Sequence, residues 1–111
     1  KLKTFSIDGS YTVAEIDSLS VGASIYYMSL VKIAVTAGDL SYFALAYKGA
    51  GDDGFLATFS IDSAWDNITL VETLEFDTAD ANYNSLVLLD STHLMCAYRG
   101  EGNDLQIQEL L

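Results

Sequence analysis

The chain has 111 residues, half of them hydrophobic, with 16 acidic against 5 basic side chains and a formal net charge of −11. That is one domain's worth of sequence with enough apolar content for a real core. Its charge repels phosphate backbones and anionic lipid, and no Lys/Arg stripe exists to release counterions; Asp, Glu, Lys or Gly interrupts every apolar run short of the ~20 residues a membrane span needs. Nucleic acid and anionic membrane surfaces are thus poor partners, no membrane insertion is expected, and an acidic surface favours neutral ligands such as sugars, or cations.

In chain order the apolar segments repeat. "LKTFSID" at 2–8 returns 54 residues on as "LATFSID" at 56–62, and "VAEIDSLSV" at 13–21 returns as "ITLVETLEF" at 68–76. "YYMSLVKI" at 26–33 matches "NYNSLVLL" at 82–89, and "ALAYKGAGDD" at 44–53 matches "MCAYRGEGND" at 95–104. "IQEL" at 107–110 is a faint third copy of the opening segment. Four segments recurring in one order at a period near 50 point to a solenoid or a propeller.

Val, Ile, Leu, Phe, Tyr and Thr fill the segments, and Gly, Asp, Ser and Asn punctuate them, so each is a strand. Four strands per repeat make a β-propeller blade. The near-continuous apolar runs "SLVLL" and "HLMCAY" predict inner strands a and b, "TFSI" strand c, and the alternating "ITLVETLEF" an outer strand d half-open to solvent. The order is c, d, then a, b, c, d, then a, b, c: nine strands where two blades need eight. The ninth either leaves the ring or adds an edge strand.

The expected fold is all-β, a single two-blade unit over 1–111 with repeat 1 at about 2–55 and repeat 2 at about 56–111. Two blades leave apolar sheet faces bare. A ring closed by further copies covers them, as a homotrimer of six blades or a tetramer of eight, with the trimer favoured. A monomer would instead require a nine-stranded sandwich.

The pattern "Y-x-SLV-x-I … A-Y-x-G-x-G-x-DG … TFSID" resembles β-propeller repeats that recur in tandem in long bacterial proteins of unassigned function, and the resemblance covers essentially the whole chain. In architecture the two-blade length is similar to small bacterial and fungal lectins that trimerise into six-bladed, fucose-binding propellers. Those lectins use tryptophans at their sugar sites; this chain has Trp65 alone.

Chain direction sends the d–a and b–c loops to one end of the sheets and the a–b and c–d loops to the other. The first end gathers Tyr26, Tyr27, Tyr83, Lys48, Arg99 and Asp104, and aromatic faces with charged neighbours suit a neutral glycan. Trp65, in "DSAWDN", is a stacking platform at the opposite end. Packed or solvated hairpin residues are the competing reading for all of these. The candidate ligand-binding residues are therefore Trp65, Tyr26, Tyr83, Arg99 and Asp104.

Gly-Asp loops at 49–54 and 100–104 lack the alternating oxygen spacing of a calcium loop and match a tight turn with positive φ. No metal and no cofactor is expected. Lone Cys96 reads as a small core residue and His93 as part of a turn, and adjacent Asp90, Ser91 and Thr92 make no triad. The chain reads as a non-enzymatic binding or interaction module, lectin-like or, alternatively, a purely structural fragment of a larger propeller or adhesin. A glycosidase-like enzyme is the third reading. The compartment stays open, with an extracellular or cell-surface setting favoured.

Overall fold

A computed structural model describes residues 1–35 and 38–110. Among them nine strands form three antiparallel sheets. The first pairs β1 (Leu2–Ile7) with β2 (Val13–Leu19). The second is the meander β3 (Tyr26–Val35), β4 (Ser41–Lys48), β5 (Gly54–Ile61) and β6 (Thr69–Asp77). The third joins β7 (Asn82–Asp90), β8 (His93–Arg99) and β9 (Leu105–Leu110). The nine strands and their order are those the repeats predict. The ninth pairs with β8 as an edge strand, Leu94 opposite Leu110 and Arg99 opposite Leu105.

The second sheet is the middle layer. Because side chains alternate along a strand, β4 sends Leu45 and Tyr47 to one face and Ala44 and Ala46 to the other. Leu45 and Tyr47, with Ala57, Phe59 and Ile61 of β5, pack against Leu2, Leu19 and Val21 of the first sheet's layer. Ala44, Ala46 and Leu56 meet Leu94, Cys96, Tyr98 and Leu110 of the third. Coverage on both faces is why β4 is apolar at nearly every position.

The outer layers have no such cover. On the third sheet Val87, Leu89, Leu105 and Ile107 face outward and are exposed, and on the first Phe5, Ile7 and Val13 are exposed. The alternation expected of "ITLVETLEF" is absent, since Leu70, Val71 and Leu74 of β6 are all exposed. β6 is an edge strand, and the shift in its pairing between Thr58 and Phe59 breaks the period of two.

The two repeats agree down to their irregularities. The β1–β2 pairing shifts between Thr4 and Phe5, the position equivalent to Thr58 and Phe59. β3 and β7 each carry one irregularity near their start and one near their end. The turns after β4 and β8 place Gly51 and Gly102 at φ 71° and 74°, followed by Asp52 and Asn103 at 67° and 65°. Glycine suits this left-handed geometry because a Cβ there meets the following carbonyl, so these loops are tight turns.

Candidate functional site

The aromatic platform at one end is built by the turn after β5. Asp62 Oδ1 accepts the N–H groups of Ala64 and Asp66 at 3.1 and 3.0 Å, and its carbonyl accepts Trp65 N–H at 3.1 Å. An aspartate that folds its own turn in this way holds Trp65 at φ 61°. From β1, Thr4 Oγ1 donates to the Trp65 carbonyl at 2.7 Å and fixes the turn from below. The indole remains 44% exposed. It forms the lip of a hollow of about 210 Å³, completed by Ser63, Lys32, Ser41 and Asp39.

The same turn occurs after β1. Asp8 Oδ1 accepts Ser10 and Thr12 N–H at 2.8 and 2.9 Å, and Tyr11 stands at φ 61°, 87% exposed. Among the described residues the first sheet has no counterparts of β3 and β4, whose Lys32 and Ser41 line the shallow, open hollow beside Trp65.

At the opposite end Tyr27 and Tyr83 occupy matching irregularities at φ 53° and 55°. Their rings lie 4.4 Å apart between centroids, and Tyr26 extends the file at 6.5 Å from Tyr27. Lys48 Nζ bonds Asp52 at 3.0 Å, Asp80 at 3.1 Å and Asn82 Oδ1 at 2.8 Å, which links the second sheet to the third. Its pKa is raised, chiefly by the Asp52 carboxylate. The hydroxyl of Tyr27 is also pushed above its ordinary value, chiefly by hydrogen bonding to Tyr83.

Arg99 stacks over the Tyr83 ring at 4.9 Å. Among the described residues it makes no ion pair. Asp104 lies exposed just past the turn and accepts Gly100 N–H through its carbonyl at 2.7 Å. The fold thus gathers Tyr26, Tyr83 and Arg99 around Tyr27 and sets Trp65 at the far end of the sheets, as the loop directions require.

Sequence reasoning missed Lys32, Asp39 and Ser41. The connection after β3 is longer than the two-residue turn between β7 and β8, so the repeat offers no echo to mark them. It also missed the chain from Gln108 Nε2 to Tyr98 Oη at 2.6 Å and on to Asp77 Oδ2 at 2.7 Å. Burial, then the Asp77 carboxylate, pushes the Tyr98 hydroxyl up to about 12. His93 Nδ1 lies 2.8 Å from Asp90 Oδ1, and Cys96 is buried against the second sheet. Among the described residues no group of three His, Cys, Asp or Glu side chains is placed to share a metal ion.

The chain matches no family model, no curated protein and no solved structure.

Proposed function

We propose that the chain is a non-enzymatic carbohydrate-binding module built from two β-propeller blades, its ring completed by further copies. The blade reading is supported by the meander order of the second sheet and by sheets stacked face to face in chain order. Its repeats, about 2–55 and 56–111, share turns and irregularities, as expected of units related by rotation. The apolar outer faces of the first and third sheets favour closure by copies, three for six blades or four for eight.

The carbohydrate reading is carried by one observation, the hollow beside Trp65. A half-exposed indole offers its face to the C–H groups of a sugar ring. Lys32, Asp39 and the hydroxyls of Ser41 and Ser63 supply donors and acceptors for its hydroxyls. The Tyr26, Tyr83, Arg99 and Asp104 end is a weaker second candidate, because the Tyr27 and Tyr83 rings are taken up in a tilted contact with each other and Arg99 lies over Tyr83. That mutual packing favours the alternative of a structural repeat without a small ligand.

A glycan array, followed by titration of its neutral-sugar hits, tests the proposal. Trp65→Ala is expected to abolish binding while the far-ultraviolet circular dichroism stays unchanged. An array with no hits, or hits indifferent to Trp65→Ala, rejects it. Light scattering tests closure: the expected mass is three or four times the 12.0 kDa chain.

A further inference from the structure

The place beside β4 is filled by β5, which carries "TFSI"; the equivalent place beside β8 is filled by β9, "LQIQEL". The strand that shares "TFSI" with β5 is β1, and β1 is paired on one side only, with β2. Its outward side chains are out of keeping with a free surface. Phe59 is 1% and Ile61 9% exposed, whereas their counterparts Phe5 and Ile7 are 55% and 68% exposed.

We propose that β8 is the docking edge for β1 of a second copy, which displaces β9 and brings β2 with it as the missing fourth strand. The inference rests on the multi-copy reading above and names the surface that copy occupies.

Three observations carry it. First, β9 is lightly held: Leu105 and Ile107 are exposed, and Leu110 is its one buried residue. Second, an apolar hollow of about 210 Å³ lies at the start of β8, lined by residues that include Ile33, Leu56, Leu88, His93 and Leu94. In the β4–β5 register Ser41 faces Ile61. The same register beside β8 sets Ile7 of the second copy opposite Thr92, another residue lining that hollow. β2 would follow over Leu56 and Leu74, which line a further hollow of about 70 Å³.

Third, Leu45 faces Ala57, so Cys96, the counterpart of Leu45, would face Lys3 of the second copy, where Gln108 now sits. Gln108 donates there to Tyr98 Oη, which bonds the Asp77 carboxylate. Lys3, whose ammonium meets Glu15 of β2 at 3.0 Å within one chain, would in Gln108's place bring that charge beside the Tyr98 hydroxyl and the Asp77 carboxylate.

Cys96 is the chain's single cysteine, and directly opposed residues on paired strands are near enough to link. Lys3→Cys, oxidised during assembly, is expected to give disulfide-linked dimers and higher multiples on a non-reducing gel, absent from Lys3→Cys/Cys96→Ser. Gln108→Cys is expected to form the bond to Cys96 within one chain, pinning β9 and leaving a monomer. Ile7→Asp, harmless to an isolated chain because the side chain is exposed, is expected to stay monomeric as well.

Rings seen by light scattering with Lys3→Cys unlinked and the pinned Gln108→Cys variant still assembling would overturn the exchange and leave multi-copy closure standing. An unmodified chain that is monomeric at every concentration would overturn both.

Discussion

Phe5 and Phe59 are the same residue in the same five-residue motif, which makes them a matched pair for the argument that layering, not sequence, decides their worth. Phe59→Ala empties a position 1% exposed between the first and second sheets. Removing a buried phenylalanine costs about 3–5 kcal/mol, the lost transfer energy plus the cavity. Phe5 is 55% exposed, and full burial of such a side chain is worth roughly 1.5–3 kcal/mol. Phe5→Ala should therefore cost about 1 kcal/mol in an isolated chain.

Against a total stability of ~5–15 kcal/mol, the first variant loses a large share and the second very little. Urea unfolding followed by circular dichroism at submicromolar chain concentration reads both values. Raising the concentration should then enlarge the Phe5→Ala loss, because a second copy stabilises only the state it binds. Equal losses in dilute solution would refute the layered core. A Phe5→Ala loss independent of concentration would refute burial of Phe5 by a second copy.

His93 and Asp90 should titrate as a pair. Backbone and side-chain hydrogen bonds, first that from Thr92 N–H and next that with His93, lower Asp90 from 3.8 to about 2, and Asp90 in turn raises His93 above 6.5. The Asp90 contribution is present above its unfolded value and is lost as pH falls through about 2. The His93 contribution is complete below 6.5 and is lost as pH rises through the raised folded value. The pair thus contributes most between these limits, and Asp90→Asn should return the His93 midpoint toward 6.5 in a proton NMR titration.

Gly54→Ala puts a Cβ 2.7 Å from the Ala81 Cβ and 2.8 Å from the Phe76 ring. That overpacking should cost ~1–3 kcal/mol in a urea melt, while Gly100→Ala, which meets the flexible Gln106 side chain at 2.7 Å, should be much milder. Burial raises the Cys96 thiol to about 11. A disulfide reagent at pH 8 should therefore label folded chain far more slowly than chain in urea; equal rates would place Cys96 outside the core.

The sequence carried the strand order well, because "TFSI", "SLV" and the "AY" segment recur and each marks one strand. It carried exposure less well. β7 and β4 look alike as apolar runs, yet β4 is covered on two faces while Val87 and Leu89 of β7 face outward. Cover is a property of what lies across the sheet, and no local pattern encodes it. Trp65 was legible as a lone exposed indole, whereas Lys32 and Asp39 reach its hollow only through pairing of β4 with both neighbours. Asp77, Tyr98 and Gln108 lie 21 and 10 residues apart in sequence, beyond the reach of any spacing motif.

Tyr11, Tyr27, Trp65 and Tyr83 all stand at φ between 53° and 61°. For residues with a Cβ that conformation costs about 1–2 kcal/mol each, and glycine or asparagine would carry it with less strain. Selection for stability alone would relieve this strain at Tyr11, which is 87% exposed, sooner than at Tyr27 and Tyr83, whose rings pack against each other. Tyr11 matches Trp65 and Tyr27 matches Tyr83, so a strained aromatic recurs at the same two points of each repeat. Screens for thermostable variants of this chain should therefore find Tyr11 first, and would weaken the proposed sugar platform wherever they replace Trp65.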